Sequence, residues 1–386
     1  MSPRSTPPPP PRPLPPEPPE LSKFPEPPEP PKSPEAAKPR SAPGTGPRTA
    51  LILTAVTLLI SALIGPAVAG TGTARYADPV NAQIGFSTVN ALGQNGTTGG
   101  AGGPTVTAAT TAQFLDYIAR PGPYVIQVTG RITLPTGSSD GMHNVTSDKT
   151  IIGVGANAAL VGGGLNIGLP VSDSVTSPPA NAVHNIIIRN IAFSGATDDM
   201  INVQMFSHHV WIDHNDFSNG DDGAVDIKRG SDYVTVSWNR FHDHDKTLLL
   251  SHDEDAGPQD IGRLRVTYHH NFFDASDQRH PRVRFANVVH VYNNYYRDNS
   301  YGIASTYDAG VLVENNYFYS VNNPGRVEFS GDLGRLVERG NILVDCNHAI
   351  ETRGTVTEPR TYYSYSADPA SAVPTIVPAG AGVGKI

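Results

Sequence analysis

Residues 277–296 read DQRHPRVRFANVVHVYNNYY, with Arg279, Arg282 and Arg284 gathered around Pro281 ahead of an alternating apolar strand. A second stretch, NGDDGAVDIKRGSDYVTVSWNRFHDHDKTLLLSHDED (219–255), is dense in acid. Arginine forks match carboxylate geometry, so the first stretch could hold an anionic substrate. Equally, most charged side chains are solvated or pair with nearby carboxylates. In the second stretch Asp222 and Asp226 lie four apart around Gly223, and Asp199 stands one repeat earlier in TDDMINV. Calcium takes six to eight oxygens at about 2.3–2.6 Å, so carboxylates sharing an ion must come within roughly 5 Å of each other. Four residues of extended chain would span about 13 Å. A shared ion therefore requires a bend between Asp222 and Asp226, and Gly223 is the residue that permits one. The other reading is that these aspartates cap solvated turns.

The elements that must position these groups are given by a repeat. NIIIRNIAF, HVWIDHNDF, YVTVSWNRF, LRVTYHHNFF, VVHVYNNYY, VLVENNYF and LVERGNIL each run as an alternating strand, an asparagine and an apolar pair. The asparagines are Asn190, Asn215, Asn239, Asn271, Asn294, Asn316 and Asn341, spaced 25, 24, 32, 23, 22 and 25 residues apart. A period in this range means stacked supersecondary units. The leucine framework of leucine-rich repeats is missing, and the alternation specifies strands rather than helices. Amides stacked at the strand spacing of roughly 4.8 Å can hydrogen-bond up and down the stack. These observations predict an all-β, single-domain parallel β-helix with three short strands per coil. VIQVTGRITL and KTIIGVGANAAL read as earlier coils, TTAQFLDYIAR as a helix capping the N-terminal end. The tail from about Glu358 lacks the period and should pack on the outside. The interval of 32 residues predicts an inserted loop, and such insertions often carry the binding site.

The chain ends differ in kind. Residues 1–48 hold 20 of the 36 prolines and are expected to be a disordered leader. Residues 49–69 contain an apolar run too short to span a membrane, followed by Ala67-Val68-Ala69, which reads as a secretory signal and cleavage site. Residues 70–386 form the predicted β-helix domain. They carry 21 basic and 31 acidic residues, net −10, which argues against a nucleic-acid binder. The single cysteine, Cys346, excludes an internal disulfide and reads as a small buried hydrophobe.

The motifs VWIDHNDF, DGAVDIKRGSDYVTVSWNRFHDHDKTLL, LRVTYHHNFF and QRHPRVRF…VHVYNNYY, in this order, resemble the extracellular pectate lyases of the polysaccharide-lyase β-helix family. The resemblance runs from about Gly85 to the C-terminus. It implies a right-handed β-helix and the cleavage of polygalacturonate by a secreted, monomeric enzyme, free of the membrane once the signal is removed. By similarity Arg279 is the catalytic base, Lys246 and Arg284 bind substrate carboxylates, and Asp199, Asp222 and Asp226 ligate Ca²⁺. Some relatives carry a further acid two positions before Asp199, where this chain has Thr197. FANVVHVYNN carries one residue more than the family's pattern, read here as loop tolerance.

The reaction implied is β-elimination: C5 loses its proton and the glycosidic oxygen leaves C4. Calcium would offset the charge of the carboxylate beside C5 and stabilise the developing anion. Arginine is protonated at ordinary pH, so a base role for Arg279 needs a crowded cationic setting and predicts an alkaline optimum. Asp213 and His214 could form an acid/base pair, but neighbours in a strand point to opposite faces, so a structural role beside the calcium site is expected. The pairs His208/His209, His242/His244 and His269/His270 lack zinc spacing. Three other functions compete. A polygalacturonase-type hydrolase needs carboxylate partners across the bond, and its Gly-His-Gly and Arg-Ile-Lys motifs are missing. A pectin lyase replaces calcium ligands with aromatics, against which two tryptophans and intact aspartates speak. A non-catalytic glycan binder leaves Arg279 and Arg284 without purpose.

Overall fold

Each repeat folds as one coil of three short strands, and like strands of successive coils pair in parallel. In the coil His208–Asp213, Asp216–Ser218, Val225–Ile227, only His214 and Asn215 separate the first strand from the second. His214 makes that tight corner in the left-handed region, at φ 53°. Stacking yields sheets of ten, nine and eight strands, a right-handed parallel β-helix. The structure is a computed structural model and describes residues 81–386 apart from residue 138. The expected leader and signal segment lie outside the described residues. Among the described residues no helix is long and apolar enough to cross a membrane.

The interior is a stack of like side chains. Phe193, Phe217, Phe241, Phe273, Tyr296 and Phe318 stack coil on coil with centroids 4.3–5.2 Å apart. At the first corner the asparagine ladder forms as expected from Asn215 to Asn341. Asn239 accepts from both the backbone N–H and the side-chain amide of Asn215, and itself donates to the Ile212 carbonyl. Asn271, Asn294, Asn316 and Asn341 repeat the pattern.

Asn190 does not belong to this ladder. The strand register pairs Ala192 with Asp216, so Ile191 stands where Asn215 stands, and the Ile191 N–H caps the ladder by donating to Asn215 Oδ1. Asn190 takes the preceding left-handed corner (φ 58°), the position of His214 and Trp238 in later coils. From there it donates to Gly153 and Gly155 and accepts from Gly384 of the tail.

The helix Thr111–Ala119 covers the N-terminal end with Phe114 and Ile118 buried, its first turn capped by Thr110. From Glu358 the tail runs outside the first two sheets. Tyr363 and Tyr365 join Tyr233 and Tyr292 in one outer cluster, and the helix Val373–Gly380 covers Trp238, Phe272 and Tyr295 in another. The extra residue in FANVVHVYNN is not taken up by a loop. It forms a bulge inside the strand Asn287–Tyr292, where Val288 is buried in the outer cluster.

The long interval places its insertion, residues 251–265, between a third-sheet strand and the next first-sheet strand. Another excursion at the same corner, residues 168–183, meets it: Gln259 donates to the carbonyls of Ser172 and Val175. These two segments wall one side of the third sheet's outer face.

Candidate active site

The third sheet's strands alternate core-facing and outward residues, and register stacks the outward ones into rows. One row reads Asn144, Asn166, Asn202, Asp226, Leu249, Arg282, Ala304, Arg326 along the helix axis. The next outward positions include Gln204, Lys228, Ser251 and Arg284. Asp198, Asp199, Asp222, Lys246 and Arg279 stand in the turns that lead into this sheet. The acidic and basic side chains thus come from four successive coils and meet on one face.

Asp198, Asp199 and Asp222 each offer an oxygen, and these oxygens lie within 4.8 Å of one another. The chain bends at Asp222 and Ala224. Gly223 serves by close approach rather than by a left-handed backbone. A Cβ on it would lie 2.6 Å from Asp199 Oδ1 and 2.3 Å from Asp226 Oδ1, nearer than atoms can pack. Its N–H instead donates to Asp199 Oδ1 at 3.0 Å.

Asp226 stands on the strand Val225–Ile227 and is almost fully buried. The Lys228 ammonium lies 2.9 Å from Asp199 Oδ2 and 3.7 Å from Asp226 Oδ2. Burial, then the charge of Asp199, raise the Asp226 carboxyl well above its usual range, partly offset by Lys228 and Arg279. Burial opposes the Lys228 charge, but Asp226 and Asp199 outweigh it and raise its pKa. Burial and Asp199 raise Asp198 as well.

Asp222 joins this acid to the base-rich half. Lys246 Nζ lies 3.0 Å from Asp222 Oδ1, and Arg279 Nη1 lies 4.0 Å from the same oxygen. Arg279 sits one coil beyond Lys246, its carbonyl accepting from Leu248 N–H at 2.7 Å. Arg284 is buried and donates to the Ser251 carbonyl. Burial first, then the charges of Arg282 and Arg279, hold Arg284 below the usual guanidinium range. Arg282 bonds Ser330 and lies over the Phe329 ring. The Nε atoms of Arg279, Arg282 and Arg284 are buried without a hydrogen-bond partner among the described residues. Of the three arginines, only Arg279 stands in an ion pair among the described residues, with Asp222.

The profile of the family described as pectate lyase matches residues 56–386. The chain belongs to the pectate lyase family. It is accordingly a polysaccharide lyase. A pectate trisaccharide-lyase from Thermotoga maritima is 37% identical over 345 residues, spanning 78% of this chain and 89% of that protein. Pectate lyase A from Emericella nidulans is 34% identical over 339 residues, covering 83% of this chain and 94% of its own length. Among solved structures, a pectate lyase from a Bacillus species in complex with trigalacturonate superposes with a TM-score of 0.66. It is 32% identical and spans 78% of this chain and 99% of its own.

Within this pectate lyase, all six residues singled out in the sequence lie on or beside the third sheet's face. Asp198 and Lys228 were missed. Lys228 was legible in principle, since two residues after Asp226 on one strand is the same outward face. Asp213 and His214 lie elsewhere, at the corner between the first and second sheets, not beside the acidic cluster. They do not face apart: His214 Nδ1 meets Asp213 Oδ2 at 2.6 Å because His214 is in a left-handed turn, not a strand. Asp213 also binds Arg189 and Ser237, and His214 stacks on Trp238, so the pair is structural. His208/His209 and His269/His270 bond to each other inside the outer clusters. Burial holds His208 down to about 3.

Proposed function

We propose that this enzyme is secreted, acts as a monomer and cleaves polygalacturonate by calcium-assisted β-elimination, leaving 4,5-unsaturated oligogalacturonides. One observation carries the reading: Asp222 belongs at once to an oxygen cluster of metal-binding dimensions and to the Lys246/Arg279 cationic group. The residues fit calcium. The donors are all oxygens, their separation suits a shared ion, and Gly223 keeps open the space where the carboxylates converge. Asp198, Asp199 and Asp222 would hold it, with Asp226 as a further candidate ligand. When bound, calcium supplies charge neutralisation for the carboxylate next to the reacting carbon.

The protein's own residues then divide the work. Arg284 and Lys246 orient uronate carboxylates, for which a fork and a point charge respectively are suited. Arg279 takes the C5 proton. The C5–H electron pair becomes the C4–C5 double bond, the C4–O bond breaks, and the leaving oxygen is protonated by water. A base role requires Arg279 to be deprotonated at the moment of transfer, which alkaline pH favours. Mixing the protein with polygalacturonate should give rising ultraviolet absorbance from the unsaturated product, abolished by chelator and restored by calcium. New reducing ends without that absorbance would indicate hydrolysis and overturn the lyase reading.

A further inference from the structure

The outer face of the third sheet continues past the acidic cluster toward the N-terminal coils as a groove of about 500 Å³. Its floor is made of amides. Gln204 Nε2 donates to Asn166 Oδ1 at 2.8 Å, and Asn166 Nδ2 donates to Asn144 Oδ1 at 2.7 Å. Asn202, 5% exposed, lies in the same row and has its Oδ1 buried without a partner. The chain of donors leaves an acceptor at Gln204 and donors at Asn144, so the floor offers both polarities. One rim is apolar: Met142, Leu169, Pro170 and Val171, the last 53% exposed.

Fixed charge in this groove does not favour an anion. Its cations are already engaged, Lys228 by Asp199 and Asp226, Arg229 by Asp173. Asp140 and Asp198 line it as well. His252 is uncharged near neutrality, since burial, then Arg229 and Lys228, hold it down to about 4. The contrast with the other end of the same row, where Arg282 and Arg326 stand, is complete within eight coils. A free uronate laid over Asn144, Asn166 and Gln204 would lose hydration and meet no free cation. Its methyl ester would keep hydroxyls and a carbonyl for the amides and set its methyl against the apolar rim.

We propose that the amide-floored groove on the N-terminal side of the acidic cluster is a subsite for uncharged, methyl-esterified galacturonate. The enzyme would then prefer a block of free acid at the reaction centre joined to ester on one side only. This rests on the lyase reading, and the two can fail separately. Activity of the full chain with calcium is compared on polygalacturonate and on sparsely esterified pectin, and esters in the products are mapped by mass spectrometry. Esters should be found on one side of the cleaved bond and be rare on the other. In Asn144→Arg, kcat/KM for polygalacturonate relative to esterified polymer should rise about two- to fivefold, the scale of one partly exposed charge pair, and through KM. Asn144 is exposed, and an unchanged circular dichroism spectrum would show that the variant folds. Unsaturated product from polygalacturonate together with equal exclusion of esters from both sides overturns the subsite and leaves the lyase. An unchanged preference in folded Asn144→Arg also overturns it. Absence of unsaturated product from either polymer overturns both readings.

Discussion

Arg279 and Arg284 stand five residues apart and have different surroundings, so substitution should separate their roles. Lysine at 279 keeps a charge but moves the nitrogen and loses the planar fork. With Lys246, Arg284 and the acidic cluster holding the polymer as proposed, Arg279→Lys should lower kcat by about 10²–10⁴-fold, the range for loss of a general base, with little change in KM. Steady-state kinetics on oligogalacturonate checks this; retention of more than about a tenth of kcat (~1.4 kcal/mol) would remove Arg279 as the base. Arg284→Lys should raise KM more than it lowers kcat. The residues of this site were legible unevenly. Asp222 and Asp226 declare themselves by spacing around a glycine, and Arg279 and Arg284 by the resemblance. Lys228 was legible as an outward neighbour of Asp226, but its pairing with Asp199, 29 residues away, arises only through the coil register.

At the scale of elements, asparagine ladder and tail docking make distinct contributions. Asn271 is wholly buried and serves two coils, accepting from Asn239 and donating to Val236 and Asn294. Asn271→Ala leaves several of these groups unpaired at about 1–3 kcal/mol each. Thermal unfolding should show a large fall in Tm, whereas Asn190→Ala should mainly loosen the tail. The ladder's existence was readable from period and letter, but its first member was not, because hydrogen-bond register decides membership and an asparagine at a left-handed corner looks identical in sequence. The tail is fastened through Glu314, which accepts from His290, Arg339 and Tyr365. Burial holds His290 neutral, so it donates an N–H to the carboxylate while its other nitrogen meets the Tyr363 hydroxyl. Burial opposes the Glu314 charge, yet these three donors prevail and pull its pKa down to about 2. With the folded value depressed, this stabilisation is fully present above the unfolded value of about 4.5 and is lost as pH falls toward 2. It amounts to roughly 3 kcal/mol at neutral pH. Glu314→Gln should therefore lower Tm at pH 7 by more than at pH 2, where the two proteins should converge.

At the scale of the whole molecule, an acidic chain presents one face to a polyanion, and the fold makes that possible by leaving the face out of its own cohesion. The coils are held by the strand ladders of all three sheets, by the stacked interior rings from Phe193 to Phe318 and by the asparagine column at the corner between the first and second sheets, away from Asp222. The tail and the N-terminal segment cover the first two sheets, through clusters around Trp238 and Phe86. Solenoid architecture was readable from the repeat, but which sheet would stay open was not, since that depends on where an aperiodic tail docks. Separation of cohesion from chemistry yields a prediction about the metal. If calcium sits there as proposed, its removal would leave Asp198, Asp199 and Asp222 to repel one another, but Lys228 and Lys246 already lie against Asp199 and Asp222, so the cost should be confined to the turns entering the third sheet. Excess chelator should abolish turnover on polygalacturonate while leaving the far-ultraviolet circular dichroism spectrum nearly unchanged. Calcium added back should restore activity and raise the unfolding free energy only by the mass-action amount, about 2.7 kcal/mol at a hundredfold excess over Kd. Full activity in chelator would remove calcium from the reaction, and loss of the β spectrum in chelator would show that the acidic cluster is part of what holds the coils together.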